Sequence, residues 1–299
     1  MLTYPVSFWQ TASGGGGVAT KGYFGGGDAS GSAVTTMDKY TFAGDSVAAG
    51  SALTAQTQNA ACASSTYALF HTAGPGTAVD KYNFSDDVVS AYTALATAWR
   101  GMAGLASSTV GYFAAGIDVG ATPSSTVEKF TFSSTARSTG TALATNLWQR
   151  APFASSTKGF WAGGNALDFV GRTSVERYTF SGDTRDSGTS LSNAVDVAGG
   201  CASATVGYTA GGRNSGGSTQ AVTNKYTFSG DTVATGTSLT AARAYVAGCA
   251  SPTVGYFGSG DDASGIRSAT VYKYTFSGDG MSTGTSLSSA RHFAAATQG

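Results

Sequence analysis

"TNKYTFSGDTVATGTSL" runs from Thr223 to Leu239, and "TVYKYTFSGDGMSTGTSL" runs from Thr270 to Leu287, so nearly the same wording returns 48 residues later. A catalytic motif gains little from being doubled, whereas a structural unit recurs along the whole chain. The core phrase occurs six times: DKYTF (Asp38–Phe42), DKYNF (Asp80–Phe84), EKFTF (Glu128–Phe132), ERYTF (Glu176–Phe180), NKYTF (Asn224–Phe228) and YKYTF (Tyr272–Phe276). The spacing is 42 residues once and 48 thereafter. A second phrase precedes each copy, GYFGGG at Gly22, ALFHTAG at Ala68, GYFAAG at Gly111, GFWAGG at Gly159, GYTAGG at Gly207 and GYFGSG at Gly255. A third follows, ending at Leu53, Leu95, Leu143, Leu191, Leu239 and Leu287, and then a small-residue segment such as AYVAGCAS (Ala244–Ser251).

Each unit therefore holds four short strands, A (AYVAGCAS), B (VGYFGSG), C (VYKYTF) and D (the stretch to GTSL). Gly, Ser, Thr and β-branched residues interrupt every window that could carry a long helix. Four strands in about 40–50 residues, repeated, is the pattern of a β-propeller blade. A lone blade cannot bury its faces, and six closed in a ring bury each against the next. The expected fold is all-β, a six-bladed propeller of four-stranded antiparallel blades.

In Lys273–Phe276, Tyr274 and Phe276 fall on one face of the strand and Lys273 and Thr275 on the other. Ser277–Gly280 reads as a hairpin turn, with Gly permitting positive φ and Asp279 bonding nearby amides. The slot reads AGDS, SDDV, SSTA, SGDT and SGDT in the other units, so its acid reads as a turn device. Aligning the A strands puts Cys62, Cys201 and Cys249 at one position, where Leu105, Phe153 and Thr297 stand in other units. Such a slot is apolar, and the cysteines are expected to be buried, reduced thiols.

Only 11% of the 299 residues are charged and formal net charge is zero, against roughly 25% charged in ordinary soluble proteins. That argues against a basic nucleic-acid footprint. No run of 18 apolar residues is present, so no membrane insertion is expected, and MLTYPVSFWQ lacks the basic and apolar regions of a signal peptide.

The repeats resemble kelch-type propellers, whose mark is a hydrophobic strand ending in a Gly pair and an aromatic in the next strand. Gly26–Gly27, Gly163–Gly164 and Gly211–Gly212 match, with Tyr40, Tyr82, Phe130, Tyr178, Tyr226 and Tyr274 as the aromatics. The usual kelch Trp of the fourth strand is replaced by the GTSL stretch. The wording at Gly22–Gly27, Thr126–Phe132, Lys225–Thr232 and Gly236–Arg243 also resembles repeats in virion proteins of tailed phages. That resemblance implies a non-enzymatic structural or attachment protein of the virion, tail-fibre-associated or on the capsid surface, assembled in the host cytoplasm. Its partners would be other virion proteins or itself, and host surface polysaccharide. The competing class is an intracellular kelch-type scaffold for protein partners.

The A–B and C–D turns are monotonous, whereas the B–C and D–A connections vary, and loops on a rigid scaffold are the usual place for binding groups. Candidate ligand-binding residues on this variable face are Trp99, Arg100, Trp148, Arg150, Asp168, Phe169, Arg213, Asp261 and Asp262. An exposed Trp beside Arg and Asp suits a sugar, the ring stacking on the apolar face of a pyranose; the alternative is that Trp99 and Trp148 pack over the rim of the ring. His71 and His292 lie in different repeats with no catalytic motif, and no cofactor is expected. Asp28, Asp261 and Asp262 sit in Gly-rich loops with too few carboxylates for a Ca²⁺ cage, so no metal is assigned. Closure is expected to come from the C-terminal segment, with residues 18–299 forming the ring and residues 14–17 a Gly linker. Residues 1–13 are then a free arm presenting Tyr4, Phe8 and Trp9 to a partner. The alternative makes SFWQTAS strand A of the first blade.

Overall fold

In the computed structural model, which describes residues 19–54, 60–71 and 76–299, the alternation within strand C sets the architecture. Its first, second and fourth residues are buried and its basic third residue is partly exposed, in all six copies. A strand buried on both faces needs a neighbour on each side, and a ring of blades supplies one. Blade one consists of Ala295–Gln298, Lys21–Gly25, Met37–Thr41 and Ser46–Ala49, in that spatial order. Blade two is Ala60–Ala63, Tyr67–His71, Val79–Asn83 and Val89–Ala91. Blade three is Ala103–Ala106, Val110–Ala114, Val127–Thr131 and Arg137–Thr139, and blade four is Ala151–Ala154, Lys158–Ala162, Val175–Thr179 and Thr184–Gly188. Blade five is Gly199–Ala202, Val206–Ala210, Thr223–Thr227 and Thr232–Gly236, and blade six is Ala247–Ala250, Val254–Gly258, Val271–Thr275 and Gly280–Gly284. All pairings are antiparallel, so the protein is an all-β, six-bladed propeller. Among the described residues no helix is long and apolar enough to cross a membrane.

Strand A of blade one is the C-terminal segment, paired Gly22↔Gln298 through Gly25↔Ala295. The arm residues Tyr4, Phe8 and Trp9 lie outside the described residues.

The A strands crowd the axis so closely that their second residues are Ala61, Gly104, Pro152, Gly200, Gly248 and Ala296. A Cβ on Gly104 would lie 3.0 Å from Ala61 N, and one on Gly248 2.9 Å from Gly200 C. Pro152 is tolerated because strand A is an edge, with no ladder on the axial side. One residue further along, Cys62, Leu105, Phe153, Cys201 and Cys249 each press on the next blade: a Cβ at Gly255 would stand 2.7 Å from Cys201 Sγ, and one at Gly22 2.6 Å from Cys249 Sγ. All three cysteines are free and buried, and burial pushes their thiols up.

Adjacent blades are stitched by one recurring set of contacts. The strand-B aromatic stacks on the strand-C Phe of the next blade: Tyr23 on Phe84 at 4.6 Å, Tyr112 on Phe180 at 5.1 Å, Phe160 on Phe228 at 5.0 Å, Tyr208 on Phe276 at 4.8 Å and Tyr256 on Phe42 at 4.5 Å. At the C–D hairpin, Asp45, Asp87, Asp183, Asp231 and Asp279 all take positive φ, as does Thr135 in blade three. The strand-C hydroxyls of Tyr40, Tyr82, Tyr178 and Tyr226 donate to Asp45, Asp87, Asp183 and Asp231 of their own hairpins. The basic residue of the preceding blade pairs with the same acid, as in Lys129–Asp183 (2.8 Å), Arg177–Asp231 (2.7 Å), Lys225–Asp279 (3.2 Å) and Lys273–Asp45 (2.8 Å), and Lys39 pairs with Asp87. The Thr of the GTSL stretch completes the clasp, with Thr189 Oγ1 donating to Asp231 O at 2.6 Å and Thr141, Thr237 and Thr285 repeating it at 2.5 Å. The hairpin acid is thus a turn device and an inter-blade clasp.

Deeper in the interface, the residue before the strand-C base accepts from the D–A turn of the preceding blade. Asp80 receives Thr54 N at 2.7 Å, Glu128 Ala96 N at 2.9 Å, Asn224 Asn193 N at 2.9 Å and Asp38 Ser288 N at 3.2 Å, and Glu176 receives the Ala144 amide.

Candidate functional site

With the clasp face committed to holding the ring, the B–C and D–A loops make the opposite face. Each kelch-like Gly pair opens a B–C loop in the left-handed region: Gly26 and Gly27 at φ 62° and 105°, Gly163 and Gly164 at 65° and 92°, Gly211 and Gly212 at 71° and 87°. Ala115 (62°) and Ser259 (66°) adopt it without a glycine. The residue after the pair forms a bridge to the D–A loop, giving Arg100↔Ile117, Trp148↔Asn165, Asp196↔Arg213, Ala244↔Asp261 and Asp28↔His292 around the face. The next D–A residue also lies in the left-handed region: Gly101 (63°), Gln149 (56°), Val197 (47°), Tyr245 (59°) and Phe293 (55°). Backbone hydrogen bonds run from one of these residues toward the next, Gln149 N to Gly101 O at 3.0 Å and Val197 N to Gln149 O at 3.1 Å. Together they form the lip of an axial cavity of about 100 Å³, walled by Met102, Ala103, Ala198, Val246 and Ala295.

Trp99 and Trp148 are buried, 7% and 6% exposed, so the reading of exposed rings stacking on a sugar is corrected in favour of packing over the rim. Trp99 Nε1 donates to the buried Glu128 at 3.3 Å, and Trp148 Nε1 to Asn165 Oδ1 at 2.6 Å. The indole N–H is a donor that must be satisfied once the ring is buried, and each has its partner. Arg150 is likewise a structural residue. Its side chain is fully buried, pairs with Glu176 at 2.8 Å and donates to Trp161 O at 3.2 Å. Burial pulls its guanidinium down, and the Glu176 carboxylate opposes that. Arg100 bridges Ile117 through its backbone, at 3.0 and 2.9 Å. Asp262 is a turn residue whose Oδ1 accepts the Ser264 and Ile266 amides at 2.8 and 3.0 Å.

Of the remaining candidates, Asp168 pairs with Arg172 in its own loop, while Phe169, Arg213 and Asp261 fall on one strip. Arg213 is held by Asp196 in a two-bond fork, Nε at 3.0 Å and Nη2 at 2.6 Å. Burial draws its guanidinium down, and the hydrogen bonds and charge of Asp196 outweigh that and hold it up. The guanidinium carbon lies 5.3 Å from the Phe169 ring and 5.4 Å from the Tyr245 ring, an aromatic–Arg–aromatic stack. Tyr245 also meets Phe293 in a tilted contact at 4.2 Å and His292 edge-on at 5.4 Å. His292 Nδ1 meets Asp261 Oδ2 at 2.6 Å, and Arg267 Nη2 donates to Asp28 Oδ1 at 2.5 Å. A strip of aromatic and paired charged groups therefore crosses blades four, five, six and one. Phe169, Arg213 and Asp261 were readable as candidates; Tyr245, Phe293 and Asp196 were not. The available signal was that bulky residues hold a position where Gly101 shows glycine to be acceptable. His71 is a buried residue bonded to Gly76 O at 3.1 Å and held down by burial.

No protein-family model matches the sequence, and no curated protein matches it. Among solved structures the chain is similar to YjhT, at 11% identity with a TM-score of 0.69, over 80% of this chain and 86% of that one. At that identity the likeness speaks for the propeller fold alone.

Proposed function

We propose that the protein is a non-enzymatic structural and attachment propeller of a tailed-phage virion, presenting its loop face to a host-surface glycan. The observation that carries this reading is the division of labour between the two faces. The repeated polar residues of the C–D rim are bound into blade-to-blade clasps, while the opposite face varies from blade to blade and gathers Phe169, Arg213, Tyr245, His292 and Asp261. The virion setting rests on the sequence resemblance of the repeats. The test is twofold: mass spectrometry of purified particles for the chain, and a glycan array probed with the recombinant full-length protein. Presence in particles together with sugar binding supports the reading, and absence from particles overturns the virion assignment. A second reading, a kelch-type scaffold for a protein partner, is favoured by the exposed apolar tips Val119, Leu167, Phe169 and Ile266 on the same face. Retention of a protein partner with no sugar bound would select it.

A further inference from the structure

We propose that the cleft between blades four and five is a subsite for an uncharged, hydroxyl-rich sugar, with Phe169 as its stacking platform. This deepens the glycan reading above and rests on it.

The cleft, about 620 Å³, is lined by Arg172, Thr173, Ser192, Asn193, Asn214 and Gln220 among others, and falls within the roughly 300–1,000 Å³ of ordinary ligand sites. Its chemistry is hydroxyl, carboxamide and guanidinium, the groups that exchange hydrogen bonds with sugar hydroxyls. The walls come from two blades fixed against each other. Gly171 N donates to Asn214 O at 3.1 Å, and a Cβ on Gly171 would lie 3.0 Å from Val195 C and 3.2 Å from Asn214 C. Only glycine permits that approach of the loops. The Asn214 carboxamide is oriented by its own turn, with Oδ1 accepting the Gly216 and Ser218 amides at 2.8 and 3.0 Å, which leaves Nδ2 as the donor. Gln220 is braced by Nε2 donating to Ala194 O at 2.7 Å.

Phe169 stands immediately before the cleft-lining segment Val170–Thr173 and is 54% exposed. A phenylalanine in a mobile loop would fold its ring away from water. Here Leu167 (φ 72°) and Phe169 (φ 55°) both occupy the left-handed region that bulky residues avoid. The loop is held in that form by Leu167 N donating to Asn165 Oδ1 at 3.0 Å and Val170 N donating to Asp168 Oδ1 at 3.2 Å. One side of the ring is taken by Arg213, and the exposed remainder is an apolar platform beside a polar cleft. That combination matches a pyranose, which has an apolar C–H face and a hydroxyl rim.

Charge narrows the class. The cations nearest the cleft already have anions, Arg172 with Asp168 and Arg213 with Asp196. A carboxylated or sulfated sugar would have to compete with Asp168 and Asp196 for these guanidinium groups, whereas a neutral sugar leaves both pairs in place.

The test uses the full-length chain on an array of neutral hexose and 6-deoxyhexose oligosaccharides alongside sialylated and uronate-containing ones. Wild type is expected to bind neutral members. Phe169→Ala should weaken that binding on the order of tenfold, the loss of one stacked ring. Ser192→Tyr, which fills the cleft from an exposed position, should abolish it. Val88→Ala, at a C–D hairpin on the opposite face, should leave it unchanged, and all variants should melt with wild type. Binding confined to acidic glycans overturns the proposal. Neutral binding unmoved by both variants overturns the subsite and leaves the attachment reading standing. No sugar bound by wild type overturns the subsite and the glycan part of the functional reading together.

Discussion

The blade-to-blade clasp can be tested with a substitution the chain has already made once. Gly50, Gly140, Gly188, Gly236 and Gly284 each sit under the strand-C Tyr of the following blade, and a Cβ at any of them would fall inside contact distance of that Tyr hydroxyl. At the interface of blades two and three, Tyr92 occupies the glycine position, Phe130 replaces the Tyr and Thr135 replaces the hairpin Asp. The strand-B aromatic is also absent there, with Leu69 in its place, and Tyr67 instead reaches across, its hydroxyl donating to Phe132 O at 2.7 Å. The glycine and the hydroxyl therefore depend on one another.

Gly188 and Tyr226 are the pair to perturb. In Gly188→Ala the new methyl meets Tyr226 Oη and lies 3.2 Å from Tyr226 Cζ and Arg177 Cγ, an overpacking that costs about 2 kcal/mol. In Tyr226→Phe the hydroxyl that donates to Asp231 and accepts Thr189 N at 3.1 Å is lost, again about 2 kcal/mol for a bond to a charged group. If the sites were independent, the double variant would lose about 4 kcal/mol. Because Phe removes the atom the methyl strikes, the double variant should lose only about 2 kcal/mol, a coupling of about 2 kcal/mol. Urea unfolding of the four proteins, with linear extrapolation and unchanged slope, measures it. Additivity within about 0.5 kcal/mol would refute the reasoning, and the 48-residue coincidence of Gly and Tyr would need another cause.

The hairpin acids make the ring acid-sensitive in a defined window. Burial pushes Asp45 up, but hydrogen bonds from Lys273, Tyr40 and the Thr285 amide outweigh it and leave its carboxyl at about 2, and Asp87 is lowered by Lys39 and Tyr82 in the same way. A folded value below the unfolded value of roughly 3.9 gives stability that is present above pH ~4 and lost as pH falls through the folded value. The urea midpoint should therefore hold from pH 6 to pH 5 and drop between pH 4 and pH 2, and a flat midpoint there would contradict the clasp. Cys201→Ala should cost about 1–2 kcal/mol as a small core truncation; reductant should leave the wild-type melting temperature unchanged, and a thiol reagent should label the cysteines only at the rate of unfolding. Trp99→Ala should cost about 3–5 kcal/mol, because it opens a cavity and strips a donor from Glu128, with the loss seen in calorimetry and not as a selective loss of ligand binding.

The ring was legible because its strands repeat and each copy tests the others. A slot that accepts Cys62, Leu105 and Phe153 reads as apolar without any structure, and the structure places those side chains in one register, opposite Leu69, Tyr112 and Phe160. Even the exception at the seam has a physical sense: Thr297 fills the slot in blade one, and the next blade carries Ala68 where the others carry Gly. What the repeat could not reveal was direction. Trp99 and Trp148 depart from the repeat as a binding residue would, but so does a plug that covers a thin rim, and only the acceptors Glu128 and Asn165 decide between the two. Asp196 meets Arg213 because the A–B ladder of blade five continues past its strands, and Asp261 meets His292 because the C-terminal segment turns from blade six into blade one; neither pairing is written in the repeat.

The positive-φ ring at the axial lip carries the separation of scaffold from function one step further. Its backbone conformation is imposed by the D–A turn in five successive described blades, so the strain there belongs to the scaffold whatever side chain is present. Glycine is the residue that relieves it, and Gly101 shows that the turn accepts glycine. Selection for stability alone would therefore favour glycine at Gln149, Val197, Tyr245 and Phe293 as well. Instead these positions hold an amide, a β-branched residue and two aromatic rings, all facing one cavity mouth. Val197 at φ 47° is the least suited of all. Gln149 and Val197 are buried, and Gln149 Oε1 accepts from Asn165 Nδ2 at 3.3 Å, so the fold itself uses these two side chains; Tyr245 and Phe293 are only partly buried and meet each other in a tilted contact at 4.2 Å. The lip positions that forgo glycine are thus set by local packing where they are buried, and only Tyr245 and Phe293 leave surface for the ligand that the attachment proposal invokes.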